Sequence, residues 1–355
     1  MTAILYSTMK TFTYPDRLAA LQAGRVAAPL HIRIKPTNVC NHACYFCAYR
    51  NDNMSLGQDM VVRDRIPREK MAEIVEDIIA MGVAAVTFTG GGEPMIYPYF
   101  AETVNALAEG KVKIGSLTNA SRLQGAAAEA LAAHGTWVRV SIDGWDGPSY
   151  ARYRSVAESE FAKVMANLKA FAARGSACEL GASIIIDENN AGHVFELCRQ
   201  LKDCGVRHAK LSPCILKDSG VENNAYHARF GSTVAREAER AQGLSDARFT
   251  IVDHYHDMAT RFDKSYTSCP FNRMLTVIGA DCTVYTCQDK AYTRTGIVGS
   301  IKERRFRDLW LSDEGQARLC GIDPSQNCRH HCVSDSKNRM LTEFLALDQD
   351  HAAFV

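Results

Sequence analysis

Cys40, Cys44 and Cys47 stand at C-x3-C-x2-C spacing just after the strand-like run His31-Ile-Arg-Ile-Lys-Pro-Thr37. Three thiolates on one tight loop can hold three irons of a cubic [4Fe–4S] cluster. The fourth iron then has no protein ligand and is open to a small molecule. Two other readings fit the same residues: a structural zinc site, which normally takes four ligands, and three buried structural thiols. A second set, Cys269, Cys287, Cys328 and Cys332, lies in the last third of the chain. Four thiolates would complete the coordination of a further cluster and leave no open iron; zinc is the alternative there too. Cys282 is a fifth thiol in that region and is taken as a non-ligand. His330 and His331, between two ligand positions, are expected to be exposed.

The elements around these residues alternate. Val83–Thr89, Val112–Leu117, Trp137–Ile142, Glu179–Ile186 and Val206–Leu211 are strand-like. Arg68–Met81, Ala126–Ala133, Phe161–Arg174 and His193–Cys204 have helical periodicity. Such alternation implies a parallel sheet built from βαβ units. With the strand before Cys40 the count is six, two short of a closed eight-stranded barrel. Chemistry in barrels of this kind sits at the C-terminal strand ends, and Cys40 lies just past one. Leu275–Ile278 and Thr283–Tyr285 read as a hairpin, and Ser300–Trp310 begins a helix.

Composition narrows the class. A formal net charge of +1 over 355 residues supplies no basic field for nucleic acid. No apolar run reaches membrane-spanning length, and Met1 to Arg25 has no secretory h-region. A reducing cytoplasm is expected, where thirteen cysteines point to metal or redox chemistry rather than disulfides.

Gly90-Gly-Gly-Glu-Pro94 follows the second strand and resembles the GGEP motif of the radical S-adenosylmethionine (SAM) enzymes. With the cysteine loop and Ser141-Ile-Asp143-Gly144, it makes about residues 30–215 similar to that superfamily. The resemblance implies an α/β fold, a partial (β/α)6 TIM-like barrel, in which SAM binds the open iron of the first cluster. It implies that Gly91, Gly92 and Glu93 meet the SAM amino group and that Phe46 lies against adenine. Asn119, Ser141 and Asp143 would supply polar contacts to ribose and methionine. Arg154 is either a partner for the SAM carboxylate or a solvated arginine. The second cysteine set resembles the twitch domain, the shortened SPASM domain, with one auxiliary [4Fe–4S] cluster, as in the aminocyclitol dehydrogenase branch. The molybdenum-cofactor GTP cyclase differs in keeping an open iron there and in having a terminal Gly-Gly.

The implied organisation is an N-terminal extension (1–30), the barrel (31–215), a helical connection (216–264), the auxiliary-cluster domain (265–335) and a C-terminal helix or tail (336–355). A deoxyadenosyl radical would take hydrogen from an unactivated C–H bond. The expected outcome is oxidation of a small polar substrate, sugar- or aminocyclitol-like, because only about 30 residues precede the first strand. An external donor such as flavodoxin or ferredoxin would supply the electron. Epimerisation is the alternative, with Cys214, after Lys210-Leu-Ser-Pro213, as hydrogen donor or else as packing. A peptide maturase and, in another class, an iron–sulfur electron-transfer or sensor protein are further readings. Asp187, Lys210 and Asp218 are polar groups near strand ends without assigned roles.

Overall fold

The chain is described by a computed structural model over residues 6–258, 261–348, 350, 351, 353 and 354. Its strands are β1 (His31–Ile34), β2 (Ala85–Phe88), β3 (Lys113–Thr118), β4 (Gly135–Ser141), β5 (Glu179–Ile186), β6 (His208–Pro213), β7 (Thr250–Asp253), β8 (Leu275–Ile278), β9 (Thr283–Tyr285) and β10 (Ile297–Ser300). They form one sheet in the order β10-β9-β8-β1-β2-β3-β4-β5-β6-β7. From β1 to β7 each strand pairs parallel with the next. This is the partial α/β barrel, with its six βα units on β1–β6.

Alternation within the strands separates two environments. Ile32, Ile34, Val86, Phe88, Val138, Val140, Ile184 and Leu211 point outward and are fully buried. They pack against apolar stripes of flanking helices such as Arg68–Ala80, through Ile74 and Ile78, and Val194–Asp203, through Leu197 and Leu201. Burial of one such side chain contributes roughly 1.5–3 kcal/mol. The inward set is polar: His31 and Arg33 on β1, Lys35 just past its end, Arg139 on β4 and Lys210 on β6. His31 and Thr87 confirm the shared face with a cross-strand bond of 2.8 Å.

Two segments differ from expectation. The connection over 216–264 is helical at Gly220–Ala228 and Gly231–Gln242, but it then returns to the sheet as β7, beside β6. The cysteine-rich hairpin is not a separate layer. β8 pairs parallel with β1, His31 opposite Leu275, and carries β9 and β10 as antiparallel extensions. The N-terminal residues also join the C-terminal region. Leu18 and Leu21, on the helix Pro15–Gln22, share a core with Phe271, Met274 and Leu341, and Phe12 meets Phe344 edge-on.

Candidate active site

The loop after β1 is fixed at its root before the first cysteine. Glu93 N donates to Val39 O at 3.0 Å, and Asn38 N to Asp64 O at 2.9 Å. Gly92 is needed because this backbone lies against it, and Gly91 because the Asn38 and Met60 side chains do. A Cβ at Gly92 would stand 2.1 Å from Val39 O, and one at Gly91 2.4 Å from Asn38 Oδ1. The close approach therefore comes from the cysteine loop itself. Further along, Asn41 Nδ2 donates to Ser121 Oγ (2.7 Å) and Asn41 Oδ1 accepts from Asn119 Nδ2 (3.0 Å), tying the loop to the end of β3. Ala43 N donates to Arg154 O.

Cys40, Cys44 and Cys47 remain partly accessible on this loop. The backbone N–H of His42 points to the Cys40 sulfur and that of Tyr49 to the Cys47 sulfur. The same pattern, an N–H two residues on, recurs at Cys287 (Asp289) and Cys332 (Ser334), and Cys269 receives N–H groups from Phe271 and Asn272. Hydrogen bonds to sulfur stabilise thiolates and tune iron–sulfur clusters. At Cys178, Cys198, Cys204 and Cys214, burial and nearby charges act without such a bond. Among the described residues no three His, Cys, Asp or Glu side chains gather tightly enough for a single metal ion.

Cys269, Cys287, Cys328 and Cys332 come from three segments; burial raises the pKa of each thiol, and Cys328 adds to this at Cys269, Cys269 and Cys328 at Cys287, and Cys287 at Cys332. Asp289, two residues past Cys287, accepts from Val333 N at 2.8 Å, next to Cys332. Asn338 accepts from Phe271 N and donates to Ser268 O, fixing the Cys269 turn. Cys282 lies elsewhere. It occupies the β8–β9 turn with φ 57°, is buried with Val284, Val298 and Ile301, and has Asp281, Lys70, Lys302 and Asp64 as charged neighbours. A left-handed φ favours glycine, so this cysteine sits in a turn conformation that few side chains adopt. His330 departs from expectation: it is 8% exposed, not solvated, and its carbonyl accepts from Lys264 Nζ at 2.5 Å. His331 is half-buried, edge-on to Phe262.

Glu93 is 2% exposed. Its Oε1 accepts from Met95 N (3.1 Å) and Thr118 Oγ1 (2.7 Å), and its Oε2 from Asn119 N (2.7 Å). The carboxylate thus ties the end of β2 to the end of β3, with acceptor capacity left only on Oε2. Burial nevertheless pushes its pKa upward, against the pull of these donors. Asp143 is fully buried; its Oδ1 accepts from Ile185 N (2.7 Å) and its Oδ2 pairs with Arg154. Both oxygens are engaged inside the protein. Asp143 therefore positions Arg154 and does not face open space.

Arg154 is buried as well, so the solvated reading does not hold. It donates to Ser141 Oγ (3.0 Å), points a second N–H at Cys44 Sγ (3.4 Å) and lies over the Phe46 ring. Its Nε–H has no partner among the described residues. An orphaned buried donor beside the cysteine loop suits a carboxylate acceptor. Phe46 also meets Tyr45 and Tyr153 edge-on. Both of those tyrosines donate to Asp187 at the end of β5, Tyr153 at 2.5 Å.

Cys214 is 1% exposed at the end of β6, with its N–H on Ile186 O and its carbonyl on His227 Nε2. Its thiol pKa is pushed up by burial and by Asp187 and Asp143. Lys35 is a site residue that motif reading passes over. It is fully buried, with Nζ on Tyr49 OH (2.6 Å), Gly90 O (3.1 Å) and Gln288 Oε1 (3.3 Å). It joins the cysteine loop, the glycine turn and the segment after Cys287. Its signal in the sequence is the polar spacing His31, Arg33, Lys35 on one face of a strand.

Comparison with known proteins follows this geometry. Residues 34–201 match the family model described as the Radical SAM superfamily. A GTP 3′,8-cyclase of Aeromonas hydrophila subsp. hydrophila is 28% identical over 160 residues, 44% of this chain and 46% of the cyclase, so the match spans less than half of that relative's length. The mycofactocin maturase MftC of Mycobacterium ulcerans is 27% identical over 323 residues, 86% of this chain and 84% of the maturase. Among solved structures, Streptococcus suis SuiB bound to precursor peptide SuiA superposes with a TM-score of 0.63 at 17% identity, covering 94% of this chain and 78% of SuiB; at that identity the likeness concerns the fold. No helix among the described residues is long and apolar enough to cross a membrane. The cysteine loop, the Gly90–Pro94 turn, Asn119, Asp143 and Arg154 all lie inside the matched span, so these elements belong to the segment, residues 34–201, that matches the radical SAM model.

Proposed function

We propose that Cys40, Cys44 and Cys47 hold a [4Fe–4S] cluster that cleaves SAM reductively, so that the 5′-deoxyadenosyl radical takes a hydrogen from a small polar substrate, which is then oxidised with an auxiliary [4Fe–4S] cluster on Cys269, Cys287, Cys328 and Cys332 as electron acceptor. The observation that carries this reading is the convergence on one loop. Glu93, after β2, bonds Val39 at the root of the cysteine loop, while Asn119, after β3, and Arg154, at the end of the helix Gly147–Arg154 that follows β4, contact Asn41, Ala43 and Cys44. In this reading the free Nε–H of Arg154 takes the SAM carboxylate, and the remaining acceptor site of Glu93 takes the ammonium. Phe46 covers the adenine, and Asn119 and Ser141 supply polar contacts. Gly91 and Gly92 keep the turn against the loop.

The test is direct. Reduced wild-type protein should form 5′-deoxyadenosine from SAM. Replacing Cys40, Cys44 and Cys47 together by alanine should abolish it while leaving the auxiliary cluster in place. Reductive cleavage by that triple variant would sink the proposal, and its absence in the wild type would favour an electron-transfer or sensor protein. Likeness to the maturase over most of both chains favours a second reading, in which the oxidised C–H bond belongs to a peptide.

A further inference from the structure

The concave face of the sheet is charged and retains accessible surface. Arg33, Arg139, Ser183, Lys210 and Ser212 all point inward and are partly accessible, whereas their outward neighbours Ile34, Val138, Val140, Ile184 and Leu211 are at 0%. In a partial barrel this alternation separates the helix-covered outer face from the face turned towards the barrel interior. Tyr6 fills its floor: its hydroxyl meets His208 Nε2 (2.9 Å) and Arg139 Nη1 (3.0 Å), and its ring stands edge-on to His254.

The charge of this lumen is one-sided. Lys210 is surrounded by Arg139, Arg261, Arg33 and Lys337, all of which disfavour its protonation. Arg33 and Lys210 make no hydrogen bond or ion pair among the described residues, and Arg33 Nε and Arg139 Nε are buried donors without partners. The nearby acids are mostly committed elsewhere. Glu179 faces His208 at 3.5 Å, Asp257 holds Arg261 at 3.1 Å, and Asp289 accepts from Val333 N. Among the described residues Asp289 is the one carboxylate that favours the charged forms of Arg33 and Lys35, with smaller contributions from Tyr49 and Cys287 at Arg33 and from Cys47 at Lys35. Unpaired cations kept out of bulk water are costly, and an arginine fork suits a phosphate or carboxylate.

We propose that Arg33 and Lys210 hold an oxyanion carried by the substrate, a phosphate or a carboxylate group, inside the barrel below the cysteine loop. This rests on the proposed function for the identity of the lumen as the substrate site. The anion screens the mutual repulsion of Arg33, Lys210 and Lys337 and supplies acceptors for the free guanidinium N–H groups. Its carrier is thereby oriented relative to Phe46 on the cysteine loop and Arg154 at the end of the helix Gly147–Arg154.

Titration calorimetry on the anaerobically purified two-cluster protein tests this, with inorganic phosphate and malonate as separate probes at constant ionic strength set by chloride. One of them should bind at a single site. Lys210→Met and Arg33→Gln should each weaken that binding roughly tenfold or more while SAM affinity stays within threefold of wild type. Tighter phosphate identifies a phosphorylated substrate, and tighter malonate a carboxylate. Removing an unpaired cation leaves no orphaned partner, so both variants should keep the iron content and unfolding temperature of the wild type or exceed that temperature. Binding no tighter than chloride, or equal binding by the variants, overturns the proposal. So does a shifted midpoint potential of the auxiliary cluster with anion binding intact, which would assign these cations to the cluster. The titration needs neither reductant nor SAM turnover. A protein that cleaves no SAM but binds the anion would therefore refute the proposed function alone.

Discussion

Glu93→Gln separates two jobs that the structure gives one carboxylate. The glutamate accepts three hydrogen bonds, two on Oε1 and one on Oε2. An amide offers a single oxygen. If that oxygen stays on Met95 N and Thr118 Oγ1, the new NH2 faces Asn119 N, donor against donor. If the amide flips, it faces Met95 N instead, and Thr118 Oγ1 already accepts from Ala120 N at 2.9 Å. Either way a bond to a charged acceptor is lost, at about 1.5–3 kcal/mol. With unfolding entropy near 2.1 cal/mol/K per residue over 355 residues, that lowers Tm by about 2–4 °C. The same amide points a donor where the SAM ammonium is proposed to sit, so SAM affinity should fall by roughly 10- to 100-fold. Differential scanning calorimetry and equilibrium dialysis on one anaerobic preparation read the two effects. A lower Tm with unchanged SAM affinity would make Glu93 a strand tie alone. An unchanged Tm would refute the hydrogen-bond account of this turn.

Anaerobically purified protein should contain about eight irons and eight sulfides per chain, as two four-iron clusters; Cys282→Ala should keep both, whereas about four irons with one zinc would assign the second site to a structural ion. Cys214→Ala should leave 5′-deoxyadenosine formation running. If the wild-type product formed in D2O carries one deuterium at an inverted carbon and the variant makes none of it, Cys214 is a hydrogen donor and the oxidation reading fails; normal product from the variant leaves it a packing residue. Lys210, with its pKa lowered from 10.5 to about 7 by burial and by Arg139, Arg261, Arg33 and Lys337, gives a pH test of the lumen. A base depressed in the folded state costs stability below pH 7, and the cost is relieved as pH rises from about 7 towards 10.5. In anion-free buffer, wild-type stability should therefore rise relative to Lys210→Met across that window, by at most about 5 kcal/mol before screening by lumen water. A pH-independent difference between the two would place Lys210 in open solvent.

The barrel was legible because its strands are apolar on the face that meets the helices. Ile32 and Ile34, Val138 and Val140, and Ile184–Ile186 mark their strands by β-branched residues and period. β7 was not legible for the converse reason. Thr250-Ile-Val-Asp is four residues long, buries only Ile251 fully, and gains strand geometry from its partner β6. The pairing of β8 with β1 was equally hidden, since nothing local in Leu275–Ile278 names a partner more than two hundred residues away.

In the site, residue types fixed by metal chemistry were readable and residue roles fixed by tertiary contacts were not. Seven cysteines could be sorted into two sets by spacing, yet what distinguishes Cys282 is a left-handed turn and a hydrophobic neighbourhood. The glycines of the Gly90–Pro94 turn signalled a close approach, but the sequence did not say that the approaching group is the backbone of Asn38 and Val39. That contact changes the logic of the motif. Glu93 N on Val39 O and the Glu93 carboxylate on Asn119 N make one rigid bridge from the cysteine loop through β2 to β3. A substitution anywhere on the bridge moves the thiols and the proposed SAM contacts together. Gly92→Ala, whose Cβ would stand 2.1 Å from Val39 O, should therefore lower iron retention at the first cluster as well as SAM affinity. Iron at the auxiliary site should be unaffected, because that set hangs on Asn338 and Asp289. Loss of SAM affinity with full iron at both clusters would show that the loop is held independently of the glycine turn.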